Sequence, residues 1–227
     1  MQSEGSTKLV YIHIGKTGGT SLRSILSVAL GVKGCSQGFL QSHMTAADAA
    51  KYQEFQVIVG HISRSDQVRW FPDRQVITVL REPIDRCLSF VHYARSLPPD
   101  SFPAAAEAHR LSALDFIETA PAQENVYNTM VRQLGGHMLD PPTDLPQLLE
   151  RAKETLRDAL WVARQETLQA DLLRLSAILG RDLSDLRENV TPTRPAIENE
   201  PKELVDRLME LNRYDMRLWD WANSSLL

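Results

Sequence analysis

The stretch that decides the fold is LVYIHIGKTGGTSLRSILSVAL, which runs from Leu9 to Leu30. Its first six residues are mostly β-branched, aromatic or aliphatic and predict a buried strand. After a glycine-rich turn, apolar residues recur with the spacing of one helical face: Leu22, Ile25, Leu26 and Ala29. Thr20 and Ser21 are the candidate N-caps of that helix. Strand, glycine turn and helix in this order open an α/β unit.

Further apolar runs extend the same pattern along the chain. Residues 57–59, 76–80 and 159–163 each predict a strand of the same sheet. Pro83 suits the first turn of a helix, and the predicted buried positions of the two following helices are Ile84, Cys87, Leu88 and Val91, then Leu168, Leu172, Leu173 and Leu175. A last amphipathic helix is expected over 202–223, and loops are expected over 96–105, 140–146 and 190–201. The sequence predicts an α/β, P-loop-like three-layer fold with a central, mostly parallel sheet flanked by helices.

Composition narrows the class of protein. The 227 residues suit one domain, 1–227, with residues 1–7 as a flexible N-terminus. A net charge of −4 and a pI of about 5.9 argue against a broad nucleic-acid surface. No long uncharged apolar run and no apolar leader is present, so we expect no membrane span and a cytoplasmic location. The two isolated cysteines, Cys35 and Cys87, are expected to be reduced thiols, and no metal-ligand spacing is present.

Polar residues follow three of the predicted strands. Lys16 follows the first strand, His61 the second and Arg81 the third. In an open parallel sheet, ligands bind beyond the carboxyl ends of the strands. If the strands are neighbours, these three side chains converge on one place.

The segment between strand and helix, Gly15-Lys16-Thr17-Gly18-Gly19-Thr20-Ser21, has the composition of an anion-binding loop. Glycines allow backbone N–H groups to turn inward, the helix N-terminus adds positive partial charge, and the lysine reaches the terminal anionic group. The triphosphate-binding P-loop needs a glycine where Val10 stands. The predicted strands also end in His61, Arg81 and Arg164 rather than in a carboxylate that could hold magnesium. These two departures argue against an ATP-dependent enzyme.

The string HIGKTGGTSL, residues 13–22, resembles the 5′-phosphosulfate loop of sulfotransferases that use 3′-phosphoadenosine 5′-phosphosulfate (PAPS). It is most similar to the carbohydrate type, represented by heparan sulfate and uronyl 2-O-sulfotransferases. The resemblance implies that residues 15–21 bind the donor and that Lys16 stabilises the departing phosphate. That family usually carries proline where Gly15 stands.

The same resemblance covers a second anion site. Those enzymes bind the 3′-phosphate of the donor with an arginine at a strand end and a serine eight positions later, and Arg81 and Ser89 have this spacing. Helical spacing independently places Arg86, Ser89 and Tyr93 on one face with Glu82, opposite the apolar face. Arginine and a hydroxyl are suitable phosphate donors.

His61 is the predicted general base, because histidine titrates near neutrality and the 2-O-sulfotransferases have a histidine after this strand. The alternative is a histidine that is only hydrogen-bonded at the start of a loop. His13, inside the first strand, is expected to be a buried and satisfied histidine. His92 and Arg95 could either meet an anionic acceptor or lie at the surface.

Two segments remain open. Thr191, Thr193 and Arg194 lie in a stretch that resembles the family's late loop over the nucleotide, although an ordinary loop is the other interpretation. Residues 96–146 match nothing that identifies an acceptor site.

The sequence therefore predicts an enzyme that transfers a sulfuryl group from PAPS to a hydroxyl of a carbohydrate, lipid or small metabolite. The reaction releases 3′,5′-ADP and requires no metal, and no nucleic-acid partner is expected. The alternatives are an ATP-dependent P-loop phosphotransferase and a non-catalytic nucleotide-binding module.

Overall fold

A computed structural model describes residues 7–42, 44–136, 144–183 and 195–227. Within these ranges, five strands form one sheet in the order β2-β3-β1-β4-β5, and every pairing is parallel. The strands are β1 Leu9–Ile12, β2 Leu40–Gln41, β3 Val57–His61, β4 Gln75–Leu80 and β5 Trp161–Arg164. The predicted α/β class with a parallel sheet is confirmed.

The central strand β1 shows why the sheet carries helices on both faces. All four of its residues are fully buried. Val10 and Ile12 pack into one hydrophobic cluster and Leu9 and Tyr11 into another, because successive side chains of a strand point to opposite faces. The three layers predicted from the sequence follow from this alternation.

The helices cover the two faces and one end of the sheet. In chain order they are α1 Gly19–Leu30, α2 Ala46–Tyr52, α3 Arg64–Trp70, α4 Pro83–Ser96, α5 Pro103–Arg110, α6 Ala113–Ile117, α7 Ala120–Val126, α8 Thr129–Gly135, α9 Leu145–Asp158, α10 Leu168–Leu179, α11 Lys202–Leu211 and α12 Arg213–Ser225. Helices α1 and α10 pack on one face of the sheet, and α8, α9 and α12 pack on the other. Helix α4 forms a third cluster with α5, α6, α7 and α11.

Several helix predictions need correction. Helix α1 begins at Gly19, with Gly18 as N-cap at φ 79°, so Thr20 and Ser21 lie inside the helix and do not cap it. Leu173 is 63% exposed, because the buried face of α10 consists of Leu172, Leu175 and Leu179. The predicted last helix is two helices that divide at Asn212.

The predicted loops differ from the structure in extent. Helix α4 continues to Ser96 and α5 begins at Pro103, so the first loop spans only residues 97–102. Helix α9 begins at Leu145, which makes the end of the 140–146 segment helical, while residues 137–143 lie outside the described residues. In the 190–201 segment, a short 3₁₀ turn covers Ile197–Asn199, and residues 184–194 are not described.

Two further observations concern the cysteines and the apolar character of the helices. Cys35 and Cys87 are both buried and neither forms a disulfide. In the described part of the chain, no helix combines the length and the apolar character needed to cross a membrane.

Candidate functional site

A cleft of about 620 Å³ lies beyond the carboxyl ends of β1, β3 and β4. Lys16, His61 and Arg81 all line it, because β1 lies between β3 and β4 in the sheet. The other predicted site residues on its wall are Gly15, Gly18, Gly19, Thr20, Ser21 and Ser89. Thr17 has a different place: it is fully buried, and its hydroxyl donates to the carbonyl of Ile14 at 2.8 Å. Thr17 therefore stabilises the loop from within.

The loop between β1 and α1 has an unusual backbone. Lys16 has a φ of 70°, in the left-handed region that costs a residue with a Cβ about 1–2 kcal/mol. The Lys16 carbonyl accepts a hydrogen bond of 2.9 Å from Nη1 of Arg81. The predicted anion loop and the predicted arginine are therefore joined by a direct hydrogen bond.

Gly19 is required by a close approach. A Cβ at this position would lie 1.8 Å from Cδ2 of His13, whose ring packs against the start of α1. Gly15 is the opposite case, since a Cβ there meets nothing within 4 Å. A small side chain at position 15 would therefore have room.

The two cationic side chains Lys16 and Arg81 are largely buried, and burial lowers the pKa of each. Burial and the charge of Arg81 lower the pKa of Lys16 to about 8. The Nζ atom of Lys16 lies 3.8 Å from the centre of the Tyr93 ring, in cation–π geometry. Nε of Arg81 donates to Asp85 Oδ2 at 2.5 Å, and burial lowers the pKa of the guanidinium.

Helix α4 presents its polar face to the cleft, as its spacing predicts. Glu82 caps the helix by accepting hydrogen bonds from the N–H groups of residues 84 and 85, and Pro83 follows it. Arg86, Ser89 and Tyr93 line the cleft. Arg86 is buried, and its Nη1 donates to the Asn125 carbonyl at 2.8 Å. Ser89 is also buried, at 7% exposure.

The imidazole of His61 has a defined tautomer. Its Nδ1 lies 3.2 Å from the carbonyl oxygen of His13. Because a carbonyl oxygen only accepts, Nδ1 carries the proton and Nε2 of the neutral ring carries the lone pair. Burial lowers the pKa of His61, and the hydrogen bond to the carbonyl opposes part of that effect. The ring is therefore neutral at physiological pH, as a general base requires.

His13 departs from the prediction of a satisfied histidine. It is 5% exposed, yet its Nδ1 has no hydrogen-bond partner among the described residues. Its ring centre lies 4.5 Å from that of His61 and 4.7 Å from that of Phe39. Burial, followed by the charges of neighbouring cationic groups, holds the pKa of His13 well below its ordinary value. His13 is part of the cleft wall next to His61.

Sequence reasoning missed the uncharged wall of the cleft. Its residues are polar but uncharged or aromatic, and they come from distant segments: Phe39, Gln41, Phe90, Phe102, Asn125, Thr129, Gln133 and Gln165. The described residues of the whole cleft include no carboxylate.

The remaining candidates lie elsewhere. His92 contacts Glu200 at 2.6 Å, and the guanidinium of Arg95 donates to the carbonyls of Ala108 and Leu111. Neither lines the cleft as the described residues define it. Thr191, Thr193 and Arg194 lie outside the described residues. Within the described ranges, no group of three or more His, Cys, Asp or Glu side chains could hold a metal ion.

Comparisons with known proteins give limited similarity. No protein-family model and no curated protein matches the sequence. The structure is similar to mouse sulfotransferase SULT7A1 complexed with PAP, at 14% identity and a TM-score of 0.42, over 80% of this chain and 60% of that one. It is also similar to a sulfotransferase from Alicyclobacillus acidocaldarius, at 13% identity and a TM-score of 0.49, over 98% of both chains. The chain thus spans 60% of the mouse protein's length, and function has to be argued from the site itself.

Proposed function

We propose that this protein is a sulfotransferase that moves a sulfuryl group from PAPS to a hydroxyl of an acceptor and releases 3′,5′-ADP. One observation carries the proposal. The Lys16 loop, the Arg81–Ser89 pair and His61 come from three separate segments, and all of them line a single cleft beyond adjacent strand ends. A donor with two anionic groups and a reaction that removes a proton need these three elements together.

The donor would be held at two points. Backbone N–H groups at the start of α1 and the Lys16 ammonium suit the 5′-phosphosulfate. Arg81 and Ser89 suit the 3′-phosphate, and Arg86 adds a buried positive charge on the same face. A guanidinium has five N–H donors. The contacts of Arg81 with Asp85 and with the Lys16 carbonyl therefore leave donors for a phosphate oxygen.

The residues divide the chemistry between them. Nε2 of His61 accepts the proton of the acceptor hydroxyl, whose oxygen forms the new bond to sulfur. As the bond from sulfur to the bridging phosphate oxygen breaks, Lys16 stabilises the negative charge that develops on that oxygen. Lys16 does this only as the ammonium, and His61 acts only as the neutral imidazole.

The lining of the cleft also supports this donor over ATP. Magnesium in triphosphate-dependent enzymes is held partly by carboxylates, and the described residues of the cleft wall provide none. We propose an acceptor hydroxyl in the class of carbohydrates, lipids and small metabolites. The support for a sugar is the likeness of residues 13–22 to the 2-O-sulfotransferases.

Calorimetry with 3′,5′-ADP and with ATP tests the donor. We expect 3′,5′-ADP to bind equally well with and without Mg²⁺. Arg81→Ala should weaken that binding by about 10-fold to 100-fold, because hydrogen bonds to charged groups contribute about 1.5–3 kcal/mol.

Arg95→Ala is the matched control, since Arg95 is on the same helix but does not line the described cleft. The Kd of this variant for 3′,5′-ADP should stay within about twofold of the natural value. Binding of ATP only in the presence of Mg²⁺, without binding of 3′,5′-ADP, would contradict the proposal.

A further inference from the structure

Gln133 joins the ends of two strands. It lies on α8 with no exposed surface, and its Nε2 donates to the carbonyls of His13 at 3.0 Å and Ile62 at 2.9 Å. His13 directly follows β1 and Ile62 directly follows β3. One side-chain amide therefore fixes the spacing between the loop that carries Lys16 and the strand end that carries His61.

The same carbonyl that binds Gln133 also binds the histidine. The His13 oxygen accepts from Nε2 of Gln133 and lies 3.2 Å from Nδ1 of His61. A carbonyl oxygen has two lone pairs, so both of its acceptor positions are used. A side chain of α8 therefore holds the same carbonyl that the His61 ring meets.

Helix α8 is itself held firmly. The carboxylate of Asp215, on α12, accepts hydrogen bonds from the N–H groups of Met130 and Val131 at 3.0 and 2.8 Å. In return, Asn128 Oδ1 accepts from the N–H groups at the start of α12. The two helix N-termini cap each other, which gives Gln133 a fixed base from which to reach the strand ends.

We propose that Gln133 is a positioning residue for His61: by holding the His13 carbonyl, it keeps the proton on Nδ1 and leaves Nε2 as the proton acceptor. The role of His61 as base rests on the proposed function, whereas the coupling of Gln133 to the imidazole does not. Without the bond from Gln133, the His13 carbonyl is free to turn away from Nδ1 of His61, and a ring nitrogen that loses its acceptor lets the proton move to the other nitrogen. A proton on Nε2 removes the lone pair that a base needs.

The test is the tautomer of His61, read from ¹⁵N chemical shifts of the imidazole at pH 8 in the protein without ligand. In the natural sequence we expect the proton on Nδ1. In Gln133→Met, which keeps length and volume, we expect a mixture of the two tautomers. Turnover with PAPS should fall about tenfold, which is less than the loss of about 10²-fold or more expected when a general base is removed altogether. The Kd for 3′,5′-ADP should change less than about twofold.

The chain offers a matched control in Gln67. This glutamine is also buried on a helix, and its Nε2 also donates to two backbone carbonyls, those of Phe71 at 2.8 Å and Arg74 at 2.9 Å. It does not line the described cleft. Gln67→Met removes these two hydrogen bonds and one from Arg64, so it should destabilise the fold at least as much, while the His61 tautomer and turnover stay unchanged. If Gln133→Met fails to fold, Gln133→Asn, which is too short to reach both carbonyls, should show the same change.

An unchanged Nδ1–H tautomer in the Gln133 variant would overturn the inference, even if turnover fell, because the effect would then be structural only. An equal tautomer change in Gln67→Met would overturn it as well. Failure of 3′,5′-ADP to bind the natural sequence would reject the sulfotransferase proposal, while the tautomer measurement would still decide the coupling.

Discussion

The two walls of the cleft are built in different ways. The anion wall, formed by Gly15, Lys16, residues 18–21 and the polar face of α4, is cationic and comes from two short contiguous motifs. The uncharged wall is formed by Phe39, Phe102, Asn125, Thr129 and Gln133, which come from three stretches of the chain: 39, 102 and 125–133. The difference indicates that the proposed donor site is encoded locally, whereas the surroundings of His61 depend on how distant helices dock.

The largest difference between an effect on turnover and an effect on 3′,5′-ADP binding is expected from His61→Ala. His61 lies at the junction between the two walls, and removal of a general base typically costs about 10²-fold to 10⁴-fold in rate. We expect kcat to fall by at least about 10²-fold, while the Kd for 3′,5′-ADP stays within about twofold. The measurements are turnover with ³⁵S-labelled donor and calorimetry.

His109→Ala serves as the control for the loss of a histidine, since His109 is exposed and bonds the Leu97 carbonyl. If His61→Ala also lost 3′,5′-ADP binding, the proposed division between donor binding and proton removal would be wrong.

The pH dependence of kcat/KM should show an alkaline limb from Lys16 and an acid limb from His61. Lys16 must be charged, and its pKa of about 8 predicts that activity declines as the pH rises through this value. His61 must be neutral, and burial holds its pKa below the ordinary value of about 6.5. Activity should therefore stay high down to about pH 6.5 and decline only below it, by up to about tenfold per pH unit.

The profile of kcat gives a further check on Lys16. An anion bound beside Lys16 stabilises the ammonium, so the alkaline limb of kcat should lie at higher pH than that of kcat/KM. An alkaline limb at the same pH in both profiles would show that Lys16 does not contact the bound donor.

The smallest expected effect is on stability, from Gly19→Ala. The new Cβ would lie 1.8 Å from the His13 ring, so the ring or the helix start has to move. Overpacking of this kind costs about 1–3 kcal/mol of unfolding free energy. Gly15→Ala, where nothing lies within 4 Å, should be nearly neutral. Thermal unfolding of both variants measures the difference, and equal losses would contradict the close packing of His13 against α1.

The sequence was informative where the signal is local. The strand β1, the turn at Gly18 and the apolar face of α1 follow from residues within one short stretch, and the sheet class follows from them. The convergence of Lys16, His61 and Arg81 needed only the rule for parallel strand ends. These features do not depend on which distant helix packs where.

The largest of the missed features depend on tertiary contacts. Gln133 carries no local signal of its role, because its partners are carbonyls 71 and 120 residues away in sequence. The division of the last helix at Asn212 reflects its bonds to Asn128 and Leu208, which a continuous amphipathic pattern does not reveal. Leu173 follows the composition of a buried position but lies on the outer side of α10.

The mutual capping of α8 and α12 also has a consequence for the order of assembly. Its hydrogen bonds connect residues 84 to 87 positions apart. During synthesis from the N-terminus, the anion loop and the central strands emerge long before α12 does. Because α8 is fixed by α12, Gln133 reaches its place beside the His13 carbonyl only after α12 has left the ribosome.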